Sequence, residues 1–191
     1  MSWADFLKDQ RRWTYLMIVV LTLGTGWTFR SRISTISANA GERPASPREG
    51  FAAPNFTLDL LGGGEITLSE LRGKPVVVNL WASWCPPCRA EMPAIQKVYQ
   101  DYQELGLVVL GVNTTNQDNE TDAAAFVREY GLTFPIPLDR DGSVSTRYEL
   151  RGLPTTFFID RKGIIRSVVV GGPMSEAVIR SKVEGLLKET P

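Results

Sequence analysis

The sequence predicts an α/β domain with a mixed central sheet flanked by helices, and three observations predict it. Two unbroken apolar runs, Pro75-Val-Val-Val-Asn-Leu-Trp81 and Leu107-Val-Val-Leu-Gly-Val112, have the continuous hydrophobicity of strands covered on both faces. A helix-like stretch from Arg89 to Leu105 joins them, which makes the three segments a βαβ unit. Further on, Thr155-Thr-Phe-Phe-Ile159 and Ile164-Ile-Arg-Ser-Val-Val-Val170 flank the turn Asp160-Arg-Lys-Gly163 and read as a β-hairpin. Parallel and antiparallel strands therefore share one sheet.

Taken from the start, residues 1–12 carry Lys8, Arg11 and Arg12 and precede an uncharged run of 17 residues from Trp13 to Phe29. As a helix that run spans about 25 Å, slightly short of a hydrocarbon core of roughly 30 Å. Trp13 and Tyr15 mark one end and Trp27 and Phe29 the other, as aromatic residues do at membrane interfaces. Three readings compete: an uncleaved transmembrane anchor over 13–30, a cleaved signal peptide, or a core helix. The run is apolar all round and continues into linker-like sequence, against a core helix. The best cleavage site, Ala38-Asn-Ala40, lies too far behind the apolar core for a signal peptide, so the anchor is favoured. Residues 31–50 are small, polar and proline-bearing without apolar periodicity, and read as a flexible tether. The domain is expected at 51–191.

Within it, Phe56–Leu60 and Glu65–Leu68 around Gly62-Gly-Gly64 predict an N-terminal hairpin. Pro93 should kink the helix after the first buried strand, and Gly106 should end it. Asn119 or Thr121 can cap a helix that ends near Tyr130-Gly131. Phe134–Leu138 is extended, and a short helix follows from Ser143 to Tyr148. Ser175 opens a last helix whose apolar positions, Ala177, Val178, Ile179, Val183, Leu186 and Leu187, are expected on one face.

The chemistry sits between the first buried strand and its helix, at Trp84-Cys85-Pro86-Pro87-Cys88. These are the chain's two cysteines, three apart, and such a pair can close and reopen a small disulfide ring. Cys85 falls at the N-cap and Pro86 at N1, where a missing N–H costs nothing. A helix N-terminus stabilises a thiolate, so Cys85 is expected to be the exposed nucleophile of lowered pKa. Cys88, one turn in and more buried, is expected to resolve the mixed disulfide. Pro87 removes a further amide, so the lowering should be moderate. A structural staple is a poor alternative, because so short a ring constrains the unfolded chain little. A self-contained zinc site would need about four ligands, and the chain has two Cys and no His.

Composition narrows the rest. With 21 basic and 21 acidic residues the net charge is zero, which leaves no electrostatic footprint for nucleic acid. The absence of His removes Ser-His-Asp and Cys-His catalysis. No cofactor or metal is expected, and no further cysteine is present to mispair in an oxidising compartment.

Four stretches carry a family resemblance: Phe51-Ala-Ala-Pro-Asn-Phe56, Leu71-Arg-Gly-Lys-Pro75, Val78-Asn-Leu-Trp-Ala-Ser-Trp-Cys-Pro-Pro-Cys-Arg-Ala-Glu-Met-Pro93 and Gly152-Leu-Pro-Thr-Thr-Phe157. In these the chain resembles the thioredoxin superfamily, specifically the membrane-anchored TlpA/ResA-type thiol-disulfide oxidoreductases that overlap with the redoxin and AhpC-TSA group. The resemblance covers residues 51–191 and implies a thioredoxin-like fold, with residues 107–138 as an extra αβ insert. It implies a cis bond at Leu153-Pro154 facing the cysteines, with Leu153, Pro154, Trp84, Pro86 and Pro87 as the client-binding surface. Asn79 stands where ordinary thioredoxins keep a buried aspartate. Glu91, on the helical face of Cys88, is the replacement proton carrier that the TlpA/ResA pattern implies, with a solvated helix glutamate as the plain alternative.

The implied role is a monomeric, single-pass protein of the bacterial cell membrane, its residues 1–12 cytoplasmic and its catalytic domain extracytoplasmic. It would reduce disulfides in clients such as apocytochrome c during cytochrome c maturation, with electrons from a membrane CcdA/DsbD-like donor. Three alternatives stay open. A thiol peroxidase of the AhpC-TSA type would want a threonine where Ala82 stands. A dithiol oxidase would differ in reduction potential. A copper-delivery factor would need more than two thiolates, with Met92 and Met174 as the added donors available.

Overall fold

The computed structural model describes Met17 and residues 44–189. The chain forms two units, 1–42 and 43–191, and of the first only Met17 is described, in helical conformation. The expected anchor at 13–30 and the tether up to residue 43 thus lie outside the described residues, apart from Met17. Among the described residues no helix is long and apolar enough to cross a membrane.

The end of the expected tether belongs to the domain. Ala45 bridges Ala52, Gly50 N–H donates to Ile165 O at 2.8 Å, and the Glu49 carboxylate accepts from Val168 N–H at 2.9 Å. Polar composition between 44 and 50 predicted flexibility, whereas these backbone groups find partners along the edge of the sheet.

Strands β1 (Thr57–Asp59) and β2 (Glu65–Thr67) form the expected hairpin, with Leu58 opposite Ile66. A 3-10 turn, Leu68–Leu71, leads to β3 (Val76–Trp81), of which all six residues are buried. Helix α1 (Pro86–Tyr102) follows and runs unbroken with the exposed Pro93 inside it. The proline removes only the amide that would have bonded Arg89 O. A 3-10 turn, Gln103–Leu105, ends at Gly106, whose φ of 91° is a left-handed conformation that favours glycine. Strand β4 (Val108–Asn113) returns parallel to β3. Helix α2 (Glu120–Tyr130) is capped by Asn119, whose side-chain oxygen accepts from Asp122 N–H at 2.8 Å. Helix α3 (Ser143–Arg147), strands β5 (Thr155–Ile159) and β6 (Ile165–Val170), and helix α4 (Glu176–Lys188) complete the chain.

The sheet order is β4-β3-β5-β6, with β5 antiparallel to both β3 and β6. Alternation along β3 divides the core. Val77 and Trp81 face Met92, Ile95 and Val98 of α1, Phe126 of α2, and Ile179, Val183 and Leu186 of α4. Val76, Val78 and Leu80 face Tyr148, Phe157, Phe56 and Leu68 on the other side. Asn79 shares the parity of Val77 and Trp81, which aims its side chain at α1.

Over the stretch 107–138, β4 lies in the four-stranded sheet as the βαβ reading required, and after α2 an extended segment bridges Asn113 at Leu138 and Leu60 at Pro137. One sequence expectation is corrected here. In α4, Ala177 and Val178 are exposed while Ile179, Val183 and Leu186 are buried. A period of 3.6 residues puts 177 and 178 beyond the arc that 179, 183 and 186 define.

Candidate active site

Strand β3 ends at Trp81 and α1 begins at Pro86, so Ala82–Cys85 is a tight connection at the carboxyl end of a buried strand. Cys85 N–H donates to Ala82 O at 3.2 Å and closes the turn. Cys85 is the N-cap of α1, with φ −82° and ψ 109°, and its Sγ accepts from Cys88 N–H at 3.3 Å. The first free amide of the helix therefore points at the sulfur, as the N-cap expectation required. Cys85 and Cys88 are joined as a disulfide with S–S 2.12 Å and Cα–Cα 5.3 Å.

The expectation of an exposed Cys85 is corrected: it is 2% exposed and Cys88 0%. Cys85 instead lies on the wall of a cleft of about 320 Å³, which Trp84, Pro86, Pro87, Gln117, Arg151 and Leu153 also line. Trp84 stands 55% exposed beside it. Four of the five residues that the resemblance assigned to client binding thus meet on one surface. Pro154, the fifth, is buried, and its peptide bond to Leu153 is cis as expected.

One turn after the disulfide on α1 begins a buried polar group. Glu91 is 0% exposed although it sits one turn after Cys88 on a helix that also has a solvent face. Its Oε1 accepts from Asn79 Nδ2 at 2.8 Å, and its Oε2 accepts from Met174 N–H at 3.0 Å. Asn79 lies directly across from Thr156 on β5 and donates to its Oγ1 at 2.8 Å. Asn79 Oδ1, also buried, has no hydrogen-bond partner among the described residues. Burial pushes the Glu91 pKa up, and the bonds from Met174 N–H and Asn79 only partly offset it. The plain alternative of a solvated glutamate is thereby replaced.

Sequence reasoning missed what closes this pocket. Gly172-Pro173 is a second cis peptide, and a Cβ on Gly172 would lie 2.7 Å from Glu91 Oε2 and 2.8 Å from Pro154 Cγ. Only glycine lets the segment after β6 approach so closely; a lone Gly-Gly-Pro after a strand carries no signal of what it will touch. Asp118 was also missed. Its carboxylate accepts from Ser83 N–H and Ser83 Oγ, both at 2.7 Å, which brings the loop before α2 against the Cys85 turn. Among the described residues no group of three or more His, Cys, Asp or Glu side chains is gathered to hold a metal ion.

The AhpC/TSA family model matches residues 50–168. The chain is 38% identical over 178 residues to the thiol-disulfide oxidoreductase ResA of Halalkalibacterium halodurans, covering 93% of this chain and 96% of that one. It is 36% identical over 163 residues to the thioredoxin-like protein YneN of Bacillus subtilis, covering 84% and 91%. Among solved structures, a thiol:disulfide interchange protein of the thioredoxin family from Chlorobium tepidum superposes with a TM-score of 0.62 at 27% identity, covering 75% of this chain and 99% of that one.

Proposed function

The chain belongs to the AhpC/TSA family and is a thiol-disulfide oxidoreductase of the ResA type, and from that premise we propose that it is a membrane-tethered reductase of client disulfides outside the cytoplasm. The observation that carries the reading is the Cys85–Cys88 disulfide, held at the start of α1 on the wall of a cleft open to a partner chain.

The reaction follows from the positions. With the pair reduced, Cys85 Sγ is the thiolate stabilised by the Cys88 amide and the helix dipole. It attacks one sulfur of the client disulfide; a mixed disulfide forms and the client's other sulfur leaves as a thiolate. Cys88 then attacks Cys85 Sγ, closes the ring, and releases the second client thiolate. Two electrons pass to the client and the protein ends in the disulfide form. Glu91, buried and one turn after Cys88 on the same helix, is suited to take the resolving thiol's proton and return it. A membrane dithiol donor of the CcdA/DsbD kind would restore the reduced pair. Trp84, Pro86, Pro87 and Leu153 offer the client an apolar wall, and the segment that carries the client disulfide lies in the cleft between them.

Apocytochrome c, whose paired cysteines must be reduced before haem attachment, is the client class this reading favours. Residues 13–30 would anchor the protein with the domain on the extracytoplasmic face. Trapping tests the proposal. A Cys88→Ser variant expressed in cells should accumulate mixed disulfides through Cys85, with partners that are exported proteins containing cysteine pairs. Trapped partners confined to peroxidases, or none while the wild type consumes peroxide, would overturn it.

A further inference from the structure

The turn that delivers Cys85 to the helix is held from outside by one side chain of another element. We propose that Asp118, on the loop entering α2, is a positioning residue for Cys85, fixing the Ser83-Trp84 turn that sets the sulfur at the helix N-terminus. The proposal rests on the thiol-disulfide exchange at Cys85 described above.

Ser83 lies two residues before Cys85 and is gripped on three sides. Its N–H donates to Asp118 Oδ2 and its Oγ to Asp118 Oδ1, both at 2.7 Å. Its carbonyl accepts from Arg89 Nη1 at 3.4 Å, and that guanidinium pairs with Glu129 of α2 at 2.8 Å. The next residue, Trp84, is half exposed yet donates its indole N–H to Gln117 O at 2.8 Å, so the neighbour of Asp118 holds the cleft wall. Asp118 is itself oriented: Asn113 Nδ2 at the end of β4 donates to Oδ2 at 2.8 Å and Asn119 N–H to Oδ1 at 2.9 Å. Four donors fill the two oxygens, two from the Cys85 turn, one from the end of β4 and one from the entry to α2.

Two of those donors belong to a segment 35 residues away in sequence, at the reacting end of β3. Burial would raise the carboxyl pKa, but the bonds from Ser83 N–H, Asn113, Ser83 Oγ and Asn119 N–H outweigh it and hold Asp118 below the usual carboxylate range. It therefore stays ionised wherever the enzyme works. A negative charge near a thiolate opposes its formation, so a purely electrostatic role would raise the Cys85 pKa. A positioning role lowers it, by keeping Sγ against the Cys88 amide and the helix N-terminus. The two roles predict opposite signs.

The test uses the full chain in detergent, reduced, as wild type, Asp118→Ala, Asp118→Asn and Ser83→Ala. Cys85 reactivity is read from the pH dependence of iodoacetamide alkylation, and turnover from reduction of insulin disulfides. Asp118→Ala should move the alkylation midpoint upward, toward free cysteine, and lower kcat/KM by roughly ten-fold or more, the scale expected when a reacting group is misplaced. Asp118→Asn, which keeps an acceptor for Ser83 N–H without the charge, should recover the midpoint and most of the turnover. A downward midpoint in both Asp118 variants would make the role one of charge and overturn the proposal, as would Asp118→Ala behaving like wild type. Should Asp118→Ala fail to fold by circular dichroism, Ser83→Ala loses only the hydroxyl bond and should shift the midpoint the same way by less; no shift overturns the proposal. A wild type that reduces no protein disulfide removes the client-reductase reading instead, and the alkylation comparison still decides the clamp.

Discussion

Cys85 and Glu91 share one helix and are treated oppositely by their surroundings. The sulfur at the N-cap receives an amide hydrogen and the favourable end of the dipole, while the carboxylate one and a half turns on is sealed from solvent beneath Met174 and Gly172. The raised Glu91 pKa means that the folded chain holds that proton more tightly than the unfolded one. The stability this gives is fully present below the ordinary carboxylate pKa and is lost as pH rises through the raised value. Glu91→Gln does not titrate, so wild-type stability relative to the variant should be greatest in acid and shrink toward alkaline pH, as urea midpoints between about pH 4 and about pH 9 will report. A flat difference contradicts the burial argument. The same variant should reduce disulfide turnover by about 10²-fold, the lower range for a lost proton carrier, with alkylation of Cys85 less affected than the overall rate. Equal loss in both measurements would mean that Glu91 acts on the first thiol rather than the second.

The element that fixes the catalytic turn is α2. Phe126 lies 4.6 Å from the Trp81 ring and stacks at 4.4 Å on Tyr130, and Arg89 of α1 sits over both Phe126 and Tyr130 at 5.3 and 5.2 Å. Phe126→Ala should therefore cost about 3–5 kcal/mol in urea unfolding, because the cavity faces rigid rings and β3 rather than solvent. The variant should also slow client reduction if assayed well below its melting point, since α2 carries Glu129 and follows directly on Asp118. A cost under about 1 kcal/mol would place the helix outside the cooperative core. Most of the elements themselves were legible: the apolar runs located β3, β4, β5 and β6, and Asn119, Gly106 and Ser175 marked helix ends. The βαβ reading placed β4 parallel to β3 in one sheet, but an apolar run announces a buried strand without giving the order of the others, so β4-β3-β5-β6 came only from the structure.

For the whole chain, anchoring through residues 13–30 is tested in cells. The full-length protein should sediment with membranes and resist alkaline carbonate, a chain lacking residues 1–43 should not, and protease added to spheroplasts should degrade the domain. Full solubility of the intact chain would remove the anchor. Deleting residues 1–50 instead of 1–43 should be more damaging, since Gly50 and Glu49 bond the edge of the sheet at Ile165 and Val168.

The sequence by itself determined where the chemistry sits: two thiols three apart at a strand-to-helix junction, in a chain without histidine, mark a redox-active pair, because local order alone sets the N-cap and the ring. It also marked Glu91 and Leu153-Pro154 through their place in a recurring pattern. Only the tertiary structure decided how deep Cys85 lies, what seals Glu91, and which side chain grips Ser83. Those depend on contacts between residues 35 to 83 positions apart, and the energy of such contacts comes from packing that no local pattern encodes.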